Sequence, residues 1–317
     1  MKQAVDLPRD IHDEVMSAFA SSIELQTPEL FVETIRWAQS LLVFRYRAPG
    51  QLSRALESLT FQAGDLTSAA DAATAREMLL RAREELSAVR LFEASLIDER
   101  TEEGAIGRRY LDALLSGDET RAGREVLLAV AYGRKSLDVY EKILTPVLHE
   151  AGRLWQRNEI TISHEHLITT ATERIMAQLC DLTPARPHRE LSAVTVALGE
   201  GRHELGARMA ADAFSMCGWH SSFLGGGIPV NDVARYLEGV SVDVIGCSAS
   251  RPRDVLAIRD LIEEFETKPI APLVLVGGSV FDHHPQLWRR IAADGYAPTP
   301  LMGVALANEL ISDCCES

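Results

Sequence analysis

Long apolar runs are the first thing this 317-residue chain lacks. No stretch approaches the ~18 consecutive apolar residues that a membrane-spanning helix requires. The opening MKQAVDLPRD has no apolar core segment of the secretory kind. Both absences predict a cytoplasmic protein with no membrane partner. Cysteine is scarce: Cys180, Cys217, Cys247, Cys314 and Cys315 match neither a zinc spacing nor a disulfide framework. Basic blocks are missing too. Lys and Arg number 32 against 46 Asp and Glu, a net charge of −14, and no helix-turn-helix pattern is visible. Nucleic-acid binders displace counterions with a basic face, so direct nucleic-acid binding is not expected. There is no internal repeat and no low-complexity segment.

What is present is ordinary globular composition, 46% hydrophobic and 25% charged, with length for two or three domains. Proline is rare over the first 183 residues, and they read as helices throughout. Phe31, Ile35, Ala38 and Leu42 keep helical spacing, as do Leu52, Leu56 and Leu59 after the break at 48–50. A long helix is predicted over 68–96, and the polar run 98–104 closes an N-terminal domain, 1–103. Four amphipathic stretches, 105–116, 119–134, 136–157 and 163–181, fit an antiparallel four-helix bundle over 104–183. A Pro-bearing linker, 183–188, follows.

Beyond it the period changes. Short apolar runs at 193–198, 220–224, 242–247 and 273–276 each precede a helical stretch, beginning near Glu204, Pro229, Pro252 and His284. A weak strand near Tyr296 precedes a helix from Leu301. This alternation over 190–317 predicts a parallel sheet covered on both faces, in flavodoxin-like (Rossmann-like) order. Such a sheet binds ligand at the carboxyl ends of its strands. Three loops fall there: 199–206, reading Gly-Glu-Gly-Arg-His-Glu-Leu-Gly, then Ser248-Ala249-Ser250, then Gly277-Gly278. The first has the wrong glycine spacing for a dinucleotide fingerprint. His203 sits in it, at the ligand edge.

The 199–206 loop resembles the Asp-x-His-x-x-Gly signature of cobalamin-binding domains that hold the cofactor base-off. The resemblance implies His203 as lower axial cobalt ligand, in place of the cofactor's dimethylbenzimidazole. Gly206 becomes the close-packing glycine, and Gly201, Arg202 and Glu204 complete the loop around the cofactor. The signature aspartate falls at Gly201. Glu200 and Glu204 are the two carboxylates at hand to hold the second ring nitrogen. Ser248, Ser250, Gly277 and Gly278 match the positions that line the pocket for the displaced nucleotide tail.

Upstream, Trp155 is followed by Glu165-His166, and the whole resembles the cap of CarH-type photoreceptors, which are adenosylcobalamin-dependent light sensors. The resemblance implies that Trp155 packs on the adenosyl group, Glu165 bonds its ribose and His166 supports the pocket. Two departures stand out. No MerR-type DNA-binding domain is visible, and Gln156 occupies the place of the histidine that captures cobalt after photolysis. His149 and His164 are the alternatives for that capture. A helical N-terminal segment on such a core resembles photocobilins, receptors that combine cobalamin with biliverdin. No cysteine precedes Cys180, so a bilin would be bound non-covalently, with Arg36, Arg45, Tyr46 and Arg47 near Trp37 to meet it. The expected function is a light sensor rather than an enzyme. Its output would run through a homodimer, a higher homo-oligomer or a downstream protein partner. The other reading is a corrinoid carrier for methyl transfer, which shares the fold and His203. An adenosylcobalamin mutase would need a substrate barrel that the helical residues do not supply.

Overall fold

The computed structural model describes residues 7–48, 50–87, 94–183, 190–199, 203–266 and 271–316. Most of the linker, together with Glu200, Gly201 and Arg202, lies outside the described residues. The chain forms two compact units, Met1–Ala94 with Arg153–Thr161, and Ser95–Gly152 with Ile162–Ser317.

The first unit is helical: α1 (Arg9–Glu24), α2 (Pro28–Phe44), α3 (Gln51–Ala63) and α4 (Ala69–Ser87). Pro28 opens α2, where its missing N–H is not needed. Gln26 turns the chain with a left-handed φ of 50°. Its side-chain amide donates to Asp71 Oδ1 at 3.0 Å and accepts from Thr74 Oγ1 at 2.6 Å, so the α1–α2 turn is fastened to α4. Ile11, Val15, Ile35, Leu42, Leu52, Leu56 and Met78 share the buried core. Phe19 meets Phe31 edge-on at 5.3 Å. Each such side chain contributes about 1.5–3 kcal/mol by leaving water. Trp37 and Trp155 pack on the same core.

The second unit begins with helices whose starts are written in the sequence. Thr101 Oγ1 accepts from Gly104 N–H at 3.0 Å to cap α5 (Glu102–Leu115), and Asp118 Oδ1 accepts from Arg121 N–H at 2.9 Å to cap α6 (Glu119–Ala131). The expected helix over 136–157 is three pieces: α7 (Ser136–Val139), a π-helical turn (Tyr140–Leu144) and α8 (Thr145–Gln156). The last four residues of α8 belong to the first unit. Helix α9 (Ile162–Leu182) completes the set, tied to α5 by Tyr110 Oη and Thr172 Oγ1 at 3.0 Å.

Five parallel strands follow: β1 (Ser192–Ala197), β2 (His220–Gly226), β3 (Val244–Ser248), β4 (Leu273–Gly277) and β5 (Gly295–Tyr296), ordered β2-β1-β3-β4-β5. That is the flavodoxin-like order expected. Val194, Val196, Val244, Ile245, Val274 and Val276 are buried, as a sheet covered on both faces requires. Asp243 Oδ2 accepts from Ser192 N–H at 2.7 Å and Asp294 Oδ2 from Val274 N–H at 2.6 Å, which pins the opposite edge. The crossovers are α10 (Leu205–Met216), α11 (Val230–Glu238) and α12 (Pro252–Glu266), with α15 (Pro300–Glu316) after β5.

The helical stretch expected from His284 differs. Helix α13 (Ser279–His283) starts directly after Gly278, and α14 (Leu287–Arg290) starts after a break. Pro285 forces His284 out of helical geometry, to φ −127° and ψ 68°. Leu137 of α7 packs against the core that holds Phe214 and Trp219, so the bundle helices and the sheet domain share one interior. Among the described residues no helix is long and apolar enough to cross a membrane.

Candidate functional site at the carboxyl edge of the sheet

Strand β1 lies between β2 and β3, so the chain reverses direction across the sheet at its end and opens a crevice there. His203 stands in the loop leaving β1, two residues before α10, with its side chain exposed. Its Nε2 lies 3.3 Å from Nη2 of Arg251, the residue that precedes α12. A guanidinium can only donate, so Nε2 is the acceptor and the neutral ring carries its proton on Nδ1. Although the ring edge is open, the surrounding protein desolvates it and pulls its pKa below the usual imidazole range. The Arg251 cation adds to this, and the Glu165 carboxylate opposes it. The charge of Glu165 on α9 is thus felt at the β1 loop. Glu165 is half-buried in the first turn of α9, accepts from Thr169 Oγ1 at 3.2 Å and has His166 Nε2 3.9 Å from its Oε2.

A cradle of small residues lies beside His203. A Cβ on Gly206 would stand 3.2 Å from Ser248 Oγ, and one on Gly278 would stand 3.0 Å from the same oxygen. Gly278 has φ +96°, and its Cβ would come within 2.4 Å of the Ala249 carbonyl. A Cβ on Gly277 would lie 3.0 Å from the Ala297 carbonyl. The ends of β1, β3 and β4 therefore converge as the sequence implied, leaving space only backbone can approach. Glu204 Oε2 stands 3.9 Å from the Cβ position of Gly225, on the β2 side of the loop.

Sequence reasoning missed Asp254. It is 4% exposed, and its Oδ2 accepts the N–H groups of Ser250 at 3.1 Å and Arg251 at 2.9 Å. Burial pushes its pKa up, while those hydrogen bonds hold it down. Its Oδ1 is buried with no partner among the described residues and abuts Gly199, where a Cβ would come within 2.1 Å. The signal was available: Pro252 at the first helical position and Asp254 two residues on are helix-start chemistry. Asp254 thereby shapes both the Ser248–Arg251 turn and the exit of β1.

The nominated residues of the helical segments divide between the two units. Trp155 belongs to the first unit, Glu165 and His166 to the second. The guanidinium of Arg45 donates to the Trp155 carbonyl and sits 4.7 Å from the centre of its ring. Trp155 Nε1 is buried and has no hydrogen-bond partner among the described residues. Gln156 Nε2 donates to the Trp37 carbonyl at 3.4 Å. Arg36 pairs with Glu85 at 2.7 Å, and Tyr46 Oη donates to Asp10 Oδ2 at 3.2 Å. Two of the residues nominated to meet a bilin are thus engaged within their own unit, as is Arg45. His149 is desolvated, which lowers its pKa; Asp282 raises it and His283 lowers it further, so it looks toward α13.

Among the described residues no three His, Cys, Asp or Glu side chains gather as a metal-binding group. His203 offers one imidazole nitrogen, a donor that suits a transition metal already held in a macrocycle. Its exposed imidazole and the adjacent glycine cradle fit a corrinoid.

Fold and site together define a helical cap followed by a B12-type α/β domain. Residues 106–179 and 191–305 each match a family described as B12 binding domain, and cobalamin binding is thereby supported. The chain is 26% identical over 183 residues to the HTH-type transcriptional repressor CarH of Myxococcus xanthus, a match covering 57% of this chain and 60% of that protein. It is 26% identical over 195 residues to dimethylamine corrinoid protein 1 of Methanosarcina acetivorans, covering 59% of this chain and 90% of that one. The Methanosarcina barkeri monomethylamine corrinoid protein has the same fold, with a TM-score of 0.56 at 20% identity, over 65% of this chain and 98% of that one.

Proposed function

We propose that this chain is a cobalamin-dependent light sensor that holds adenosylcobalamin between its helical cap and its α/β domain, with His203 as the lower axial ligand. The observation that carries the proposal is the relation of Glu165 to His203: a carboxylate on the cap helix α9 acts on the imidazole at the exit of β1. A cap carboxylate whose charge reaches the axial ligand would suit an upper ligand with ribose hydroxyls, which a carboxylate recognises as donors. Adenosylcobalamin supplies a cobalt–carbon bond that green light breaks. The protein's own groups do the rest. His203 presents Nε2 to the metal, Gly206, Gly277 and Gly278 leave room for the nucleotide tail, and Ser248 and Ser250 line that room. Glu165 and His166 serve the adenosyl side. Loss of the adenosyl contacts would change the balance between two arrangements of the cap. The output is a homo-oligomer or protein-partner interface, consistent with a net charge of −14 that disfavours DNA. A non-covalently bound biliverdin in the first unit is part of the same proposal.

The second reading, a corrinoid carrier for methyl transfer, is favoured by one observation: the match to the dimethylamine corrinoid protein covers 90% of that protein, at the identity that the CarH match reaches over 60% of its length. One experiment separates the two. The purified protein is loaded with adenosylcobalamin, and its spectrum and light-scattering mass are recorded in the dark and after green light. The sensor reading expects a shift in mass together with photolysis. Photolysis with unchanged mass, and equal retention of methylcobalamin, would favour the carrier. Added biliverdin should give a red-shifted band that denaturation releases; without that band the first unit has no bilin site.

A further inference from the structure

The Arg251 guanidinium occupies the nitrogen that the cobalamin reading requires for cobalt. Its Nη2 donates to the lone pair of His203 Nε2 at 3.3 Å. One lone pair cannot serve a guanidinium and a metal together, so ligation must displace Arg251. The N–H released from Nε2 can then donate to another acceptor. Cobalamin held base-off brings one anion into the tail cradle, the phosphodiester of its nucleotide loop. Arg251 is placed to receive it. It immediately precedes the 15-residue helix α12, whose amino end carries partial positive charge. Its backbone N–H is fixed by the buried Asp254 carboxylate at 2.9 Å. It adjoins Ser250, on the turn that leaves β3 at Ser248. A planar guanidinium fork also matches phosphate oxygens better than an ammonium does.

We infer that Arg251 is an exchanging specificity residue: in the empty site it holds His203 Nε2, and on binding it passes to the cofactor's phosphodiester. Arg251 thereby makes ligation by His203 conditional on the nucleotide tail. The inference rests on the cobalamin reading and deepens it.

The two halves of the exchange have opposite signs, which makes the test sharp. The probes are hydroxocobalamin and aquacobinamide, the second lacking nucleotide and phosphate, titrated by absorbance into wild type, Arg251→Gln and Arg251→Lys. Wild type should prefer cobalamin. Arg251→Gln should lose about tenfold or more in cobalamin affinity, the worth of a charged hydrogen bond. It should bind cobinamide no more weakly than wild type, because the competitor for Nε2 is gone. Arg251→Lys, which keeps charge without the fork, should fall between. The phosphorus resonance of bound cobalamin should move toward its free position in Arg251→Gln. Equal losses for both corrinoids, or no loss for cobalamin with an unmoved phosphorus resonance, would overturn the inference. If wild type binds neither corrinoid, it is the cobalamin reading that fails.

Discussion

Tyr140 Oη lies 2.9 Å from Asp212 Oδ2, joining the π-helical turn of the bundle to the first crossover helix of the sheet domain. The same phenol is 3.0 Å from the Met176 carbonyl, and Cys180 Sγ is 3.6 Å away. A phenol has one proton and cannot donate to both oxygens. Burial pushes the pKa of Asp212 up. A protonated Asp212 would donate to the Tyr140 oxygen, leaving the phenol proton for Met176. The wide turn at Tyr140–Leu144 is where the bundle reaches α10. Tyr140→Phe should therefore destabilise the second unit by about 1–3 kcal/mol, because it removes the phenol from the partly buried Asp212 carboxyl and from the Met176 carbonyl. Chemical denaturation of the full chain reads this directly.

The pH dependence follows from the direction of the Asp212 shift. Burial, the larger cause, raises its pKa in the folded protein, while hydrogen bonds to Tyr140 and Cys180 and the charge of Arg208 partly oppose it. An acid raised on folding contributes stability below its unfolded value, near pH 4, and loses it as pH climbs through the folded value. Asp212→Asn cannot ionise. Compared with wild type, it should gain relative stability as pH rises from about 4 to the raised folded value, and no further above it. Parallel melting curves for the two proteins across that range would expose the idea as wrong if their difference stayed constant.

Gly278 is a backbone requirement of the site. It has φ +96°, and a Cβ there would approach the Ala249 carbonyl to 2.4 Å. Gly278→Ala should cost about 1–3 kcal/mol, as left-handed strain and a backbone clash do together. It should also abolish corrinoid binding, since Ser248 and Ala249 form one wall of the cradle. Folded protein that retains full affinity would remove Gly278 from the site.

His203→Ala addresses the ligand itself. The side chain is exposed, and among the described residues it hydrogen-bonds Arg251, so its removal should leave the melting temperature within about 2 °C of wild type. The bound corrinoid should then show a base-on or water-ligated spectrum, with affinity reduced by about tenfold or more. An unchanged spectrum would place the ligand elsewhere.

The architecture was open to sequence reading because its signals are local. Apolar runs such as 193–198 and 273–276 have the length of buried strands, and Thr101 and Asp118 announce helix starts. The features that escaped depend on tertiary neighbours. The π-helical turn at Tyr140–Leu144 has no periodicity of its own, and its reason is the contact with Asp212, 72 positions away. Asp254 could be read as a helix-start residue, but its contact with Gly199 could not. The Arg251–His203 hydrogen bond spans 48 positions and joins two loops that only the sheet order brings together. His203, Gly206, Ser248 and Gly278 could be nominated because each lies at or just beyond a strand's carboxyl end, the edge where a parallel sheet gathers its ligand contacts. Spacing alone did not reveal that Trp155, with nine residues between it and Glu165-His166, packs on the core of the first unit.

Glu165 decides between the two functional readings. Its hydrogen bond to Thr169 and its contact with His166 lie within its own helix, and it is half-buried, so its substitution should change stability by no more than about 0.5 kcal/mol. A change in ligand preference then reports on the site rather than the fold. An adenosyl group offers ribose hydroxyls as donors to a carboxylate, whereas a methyl group offers none. Wild type should bind adenosylcobalamin more tightly than methylcobalamin. Glu165→Ala should weaken adenosylcobalamin about tenfold, the worth of a charged hydrogen bond, and leave methylcobalamin within about twofold. Glu165→Gln, which keeps the shape and one acceptor oxygen, should fall between them. The His203 environment is a second readout, because the Glu165 charge raises the imidazole pKa in wild type and would no longer do so in either variant. Competition titrations of the two corrinoids in the dark give all these numbers. Equal affinities in wild type, unmoved by either substitution, would leave the cap without an adenosyl pocket and make the methyl carrier the better account of the chain.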